Sequence, residues 1–281
     1  MNVVHSLTGI DPDTIVKVAE ELCKAESAMA FWSTGISGLD QDTVGYIFNL
    51  LLIAGKLGKE NCGANPITGI CNLQGGYDMG ASPEHLTGFQ KLSDPDAILK
   101  FEKNWGVELG RNAGKDAYSM LADKDSKLKC LVVTDHDEGI VRYSGEMEKL
   151  EFIVYIGSYE NPFTKYADVV IPIASVIEDD GTYTNTERRV QLSRKRVEPF
   201  QNVLPGWKLF AMIAEKFSLS WKYSSAEDVF KEIASLTPSY SGMTYNKIEK
   251  SFGIQWPCND RFPDGCKGLN SAVAGRKFRF A

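Results

Sequence analysis

The sequence predicts an α/β protein with a parallel-type sheet and flanking helices, and three observations carry that expectation. Three apolar, β-branched runs, "CLVVT" at 130–134, "EFIVYIG" at 151–157 and "DVVIPI" at 168–173, follow one another at short intervals. Buried parallel strands read as near-continuous hydrophobic runs of this kind. The intervening polar segments, "DEGIVRYSGEMEKL" and "SYENPFTKYA", have helical or loop character and the length that a parallel crossover requires. Amphipathic helical patterns then stand on both sides of this βαβ-type region.

Taken in order, "DPDTIVKVAEELCKA" opens with Asp11 as N-cap and Pro12 at the first helical position. Its apolar Ile15, Val18, Ala19 and Leu22 share one face. A short strand, "AMAFWS", follows. Residues 41–57 place Val44, Ile47, Phe48, Leu51 and Leu52 at helical spacing and predict a helix ending at Gly58. The Gly/Asn-rich stretch "NPITGICNLQGGYDMG" at 65–80 reads as a loop. After the three strands come a polar β-rich run at 178–191, helices over 206–217 and 226–235, and a shorter helix over 245–250. The tail after Trp256, with Pro257, Pro263, Gly265, Gly268 and Gly275, reads as irregular. The expected organisation is a partial α/β segment over 1–70, an α/β domain over 71–250 and a C-terminal tail over 251–281.

Composition narrows the class. With 43% hydrophobic and 24% charged residues the chain is an ordinary globular sequence. A net charge of -6 gives no electrostatic footprint for nucleic acid or an anionic membrane. The one dense basic run, "ERRVQLSRKRVE" at 187–198, reads either as a solvated strand face or as an anion contact. No apolar stretch approaches the ~20 residues needed to span a bilayer. The amino terminus lacks a cationic region followed by an apolar one, so the chain is expected to be cytoplasmic without membrane insertion. The six cysteines form no C-x-x-C pair, which signals neither a zinc site nor a redox dithiol and predicts buried or unreactive thiols. Asp135, His136 and Asp137 do not make a metal site, because adjacent side chains in a turn diverge. His5 and His85 are isolated and read as structural or surface residues.

Two loops have the composition of a binding surface. Glycines let a backbone approach a ligand closely, and Asn and Gln amides supply neutral donors and acceptors, as in the 65–80 stretch. The same glycines, Gly69, Gly75, Gly76 and Gly80, would equally serve a tight turn. The second loop, "EDDGTYTNTERRVQ" at 178–191, opens at Gly181 and ends at Arg188 and Arg189, and its structural alternative is a β-hairpin with a charged edge.

Together, "NPITGICNLQGGYDMG", "KYADVVIPIASVIEDDGTYTNTERRVQ" and "IQWPCND" resemble, in this order, the middle of the large subunit of formate dehydrogenases in the molybdopterin oxidoreductase family. The resemblance implies a bis-molybdopterin guanine dinucleotide cofactor holding molybdenum or tungsten, and electron transfer from formate to partner subunits. It implies cofactor contacts at Gly69, Asn72 and Gln74 in the first loop, and at Gly181, Thr184, Asn185, Glu187 and Arg188 in the second. The sequence also departs from the family. Where its members read N-P-x-R-G-Q-N-N-V-Q-G, Thr68 replaces the arginine that would hold formate, and Ile70 and Cys71 replace Gln and Asn. A hydroxyl lacks the charged fork suited to a carboxylate. Asp135, His136, Asp137 and Glu138 replace the family's G-E-N/D-P turn, and acids there repel phosphate. Ile156, Gly157, Ser158 and Tyr159 replace a Q-D-I/L-F segment. The family's cluster-binding cysteines, its cysteine or selenocysteine metal ligand and its closing C-terminal domain have no counterpart here. Hence no iron–sulfur cluster, catalytic residue or metal ligand is assigned. The expectation is a redox-complex segment that is inactive alone, partnered by other redox subunits or the missing family domains. The alternative is a cofactor-free scaffold subunit. Uncovered apolar surface is expected near Phe31, Trp32 and Phe48.

Overall fold

The computed structural model describes residues 2–37, 41–123, 125–135, 144–201 and 203–269. Along them run α1 (Asn2–Thr8), α2 (Pro12–Lys24), β1 (Met29–Trp32), α3 (Thr34–Ser37), α4 (Gln41–Ile53), β2 (Gly63–Pro66), α5 (Leu73–Asp78), β3 (His85–Leu86), β4 (Gln90–Lys91), α6 (Pro95–Trp105) and α7 (Ala117–Ala122). There follow β5 (Cys130–Thr134), α8 (Ser144–Met147), β6 (Phe152–Gly157), β7 (Val169–Pro172), β8 (Gly181–Thr184), β9 (Arg189–Ser193), α9 (Gly206–Lys216), α10 (Ala226–Leu236), α11 (Tyr245–Lys250) and β10 (Ile254–Gln255). The fold is mixed α/β.

The predicted parallel sheet is present, in the order β5-β6-β7, with Leu131 opposite Ile153 and Tyr155 opposite Val170. Its core lies on one side, where Leu131, Val133, Ile153 and Tyr155 pack with Leu121, Met147 and Phe163. The expectation of strands buried on both faces needs correction. β5 alternates, with Leu131 and Val133 buried while Val132 is 52% exposed, and Phe152 on β6 and Val169 on β7, which share the face of Val132, are exposed as well. A parallel sheet normally carries cover on both faces, and here the described residues cover the second face only in part, burying Ile156 but leaving Val132, Phe152 and Val169 exposed.

The N-terminal elements follow their local signals. Asp11 accepts the Thr14 amide at 3.2 Å and caps α2 behind Pro12. β1 and β2 pair in parallel. α4 stops at Ile53, short of the predicted end at Gly58. Gly55, at φ +66°, takes the left-handed position while Lys56 N bonds Leu51 O and Gly55 N bonds Leu52 O, a Schellman closure. The chain then turns so that buried Lys56 donates to the carbonyls of Cys23 and Ala25 at the end of α2. Trp32 is buried against the edge of Phe48, whereas Phe31 and Phe48 themselves are exposed. Of the three residues expected near an uncovered apolar surface, Phe31 and Phe48 are themselves exposed and Trp32 packs beneath Phe48.

A second core joins β9, α10, α11 and the C-terminal segment through Val190, Phe230, Tyr240, Tyr245, Ile248 and Cys258. Residues 257–269 of the tail are irregular as expected, yet Cys258 and Cys266 are buried in them, and the remainder of the tail lies outside the described residues. All six cysteines are free thiols, and Cys23, Cys71 and Cys130 are exposed rather than buried. The basic run on β9 is a self-paired face: Arg194 grips both Glu249 oxygens at 3.1 Å and Asp180 at 3.0 Å. Among the described residues no helix is long and apolar enough to cross a membrane.

Candidate functional site

The Gly/Asn-rich stretch is not a loop throughout, because residues 73–78 close one short helix, α5, inside it. Asn72 precedes that helix in the left-handed region, φ 62°, which asparagine tolerates better than most residues. Its Oδ1 accepts the Thr184 amide at 2.8 Å, tying the first loop to the β8–β9 hairpin. Gly75 makes this possible: a Cβ there would lie 2.0 Å from Asn72 Oδ1. Gly75→Ala is expected to break the tie and lower stability by about 1–3 kcal/mol, the range for overpacking. Urea denaturation checks it, and a cost below about 0.5 kcal/mol would show that Asn72 relocates freely.

The hairpin is the antiparallel pair β8 and β9. Asn185 shapes its turn, its Oδ1 accepting the Glu187 and Arg189 amides at 3.0 Å each. Arg188 sits at φ 64° and extends along the C-terminal segment. It donates to the carbonyls of Trp256, Cys266 and Lys267 and lies over the Trp256 ring at 5.2 Å.

At the centre lies Asp78, 1% exposed. Its carboxylate accepts from Tyr240 Oη at 2.6 Å, Trp256 Nε1 at 2.8 Å and Gln74 Nε2 at 2.8 Å. Tyr240 Oη also meets Thr184 Oγ1 at 3.2 Å. Burial pushes the Asp78 carboxyl above its ordinary value, and the hydrogen bonds oppose it. Burial and the neighbouring carboxylate likewise hold the Tyr240 hydroxyl well above the ordinary phenol range.

Of the residues the sequence singled out, Asn72, Gln74, Thr184 and Arg188 converge on this cluster. Asn185 serves its own turn. Glu187 is on the surface beside Arg189 and Gln255, and Gly69 is exposed with open space around it. Gly181 opens β8 and lines a different cavity. Sequence reasoning missed Asp78, Tyr240 and Trp256. Asp78 was visible as the single charged residue of the 65–80 stretch, whereas Tyr240 belongs to no motif.

That other cavity, about 540 Å³, lies where β5, β6 and β7 end and is lined by Asp135, Ser158, Ala174, Asp179 and Tyr183 among others. Asp135 Oδ1 accepts the Ser158 amide at 3.0 Å. Tyr155 donates to Tyr159 O and accepts from Asn161. Burial raises the Asp179 carboxyl above its usual range. Asp180 is held by Arg194 and by the Lys195 amide at 2.8 Å. His136, Asp137 and Glu138 lie outside the described residues. Among the described residues no three His, Cys, Asp or Glu side chains are grouped so as to hold a metal ion.

Comparison with known proteins identifies relatives of the chain. A family model described as molybdopterin oxidoreductase matches residues 7–216. A Staphylococcus haemolyticus protein named "Putative formate dehydrogenase" is 37% identical over 273 residues, which are 94% of this chain and 27% of that protein. A Staphylococcus aureus (strain USA300) protein of the same description is 38% identical over the same shares. The chain thus spans about a quarter of the length of these curated relatives. Among solved structures, the acetylene hydratase from Pelobacter acetylenicus matches 63% of this chain and 27% of its own, at 15% identity and a TM-score of 0.41.

Proposed function

The chain belongs to the molybdopterin oxidoreductase family, and from that premise we propose that it is the segment of a formate-dehydrogenase-like large subunit that frames the cofactor site and is inactive alone. Family membership implies a molybdopterin cofactor. The hydrogen bond from Thr184 N to Asn72 Oδ1 carries the reading, because it joins the two cofactor loops of the resemblance around one buried cluster.

The described residues do not fit direct contact with a pyrophosphate-bearing pterin. Asn72 Oδ1, Gln74 Nε2, Asn185 Oδ1 and the guanidinium of Arg188 are engaged by protein partners. Gly69 has no neighbour that would make it a cradle, and the sheet-edge cavity is acidic. In the proposal a bis-guanine-dinucleotide form of the cofactor is held by other parts of the whole enzyme, with no iron–sulfur cluster on this segment. The chain's own part is to lock the loop, hairpin and C-terminal segment in register. Thr68 follows the same logic, since its hydroxyl only reaches Ile70 O at 3.4 Å and cannot supply the charge-assisted fork that grips a carboxylate.

The exposed Phe31, Phe48, Val132 and Val170 support a cover from other domains or redox subunits in a cytoplasmic complex. The acid-lined cavity favours the second reading, a scaffold subunit without cofactor. The test is formate-dependent dye reduction. The chain alone is expected to give none, and activity above a boiled control would overturn the reading. Thr68→Arg is expected not to restore it.

A further inference from the structure

We infer that Asp135 and Asp179 set the charge selectivity of the sheet-edge cavity and exclude a nucleoside diphosphate from it. The cavity occupies the carboxyl ends of β5, β6 and β7, the side on which open α/β sheets take ligands. Its size of about 540 Å³ is within the range of small-molecule sites, so volume is not what turns a nucleotide away.

Phosphate at such an edge is met by free backbone amides, a helix N-terminus or a cation. Here the Ser158 amide, the first after β6, is taken by Asp135 Oδ1 at 3.0 Å. The described helical pieces between the strands are the four residues of α8 and a 3-10 turn at Pro162–Tyr166, too short for a substantial dipole. No lysine or arginine is among the described lining residues. Arg194 and the Lys195 amide answer the charge of Asp180, but neither Asp135 nor Asp179 forms a salt bridge among the described residues. A diphosphate entering this edge meets two carboxylates that have no ion-pair partner among the described residues, Lys195 acting on Asp179 only from a distance, in a partly desolvated pocket where like charges repel far more strongly than in water. The inference deepens the framing role and rests on it only for the choice of a guanine nucleotide as probe.

The experiment titrates GDP, without magnesium, into the isotope-labelled chain and follows the Ser158 and Gly181 amides. The parent is expected to show no saturation below millimolar GDP, and Asp135→Asn/Asp179→Asn to bind at least about tenfold tighter. Asparagine keeps the acceptor for Ser158 N and suits the φ of 34° at residue 135. If the double variant melts early, Asp179→Asn alone is expected to gain about threefold. Micromolar saturation of the parent, or variants that bind no tighter than it, would overturn the inference. The titration uses no redox partner, so its failure is separate from failure of the dye-reduction test.

Discussion

Asp78→Ala is expected to lower the unfolding free energy by about 3–5 kcal/mol, the range for breaking a buried polar network. The change leaves the hydroxyl of Tyr240, the indole N–H of Trp256 and the Gln74 amide without their shared acceptor. Each orphaned buried donor costs about 1–3 kcal/mol, and the void adds to this. Urea denaturation followed by tryptophan fluorescence checks it, and a loss under about 1.5 kcal/mol would show that water enters and satisfies the donors. The pH dependence has a definite sign. Burial in the folded state raises the Asp78 pKa above its ordinary value of 3.8, so between 3.8 and the folded value the native state holds the proton that the unfolded chain has released. Stability contributed by this group therefore falls as pH rises through that window and is level below it. Asp78→Asn, which cannot ionise, is expected to lack this slope, so the difference between parent and variant should move against the parent from about pH 4 upward.

Arg188→Met is expected to cost about 2–4 kcal/mol, combining lost charge-assisted hydrogen bonds with the loss of its place over Trp256. The planar fork reaches the carbonyls of Trp256, Cys266 and Lys267 together. Arg188→Lys keeps the charge but not the fork and is expected to recover less than half of the loss. Limited trypsin digestion should then cut within 254–269 before the rest of the chain. Unchanged cleavage there, with a normal urea midpoint, would show that the hairpin holds the C-terminal segment without Arg188.

Much of the fold was legible because its signals are local. The Asp11–Pro12 opening of α2, the three β-branched runs and the turn residues of the hairpin each act through neighbours a few residues away. α6 opens with the same Asp94–Pro95 pair, with Asp94 accepting the Asp96 and Ala97 amides; the sequence reading missed it although its signal is equally local. α4 ended early because two glycines could close it, and the fit of Lys56 against α2 favoured Gly55. α5 was hidden in a glycine-rich stretch because Gly75 and Gly76 are poor helix formers. Packing, through Asn72 and Asp78, overrides their propensity.

The site divides along the same line. By itself the sequence determined that the 65–80 stretch and the 178–191 run are special, since their glycine, amide and threonine content departs from the rest of the chain. It also determined the α/β class, because strand and helix periods follow from side-chain spacing alone. Only the tertiary structure decided that Asp78 meets Tyr240 across 162 residues and Trp256 across 178, and that Arg188 turns toward the C-terminal segment instead of outward. A buried carboxylate must find donors wherever packing brings them. That requirement is settled by the arrangement of whole elements, on which the local sequence around Asp78 carries no information.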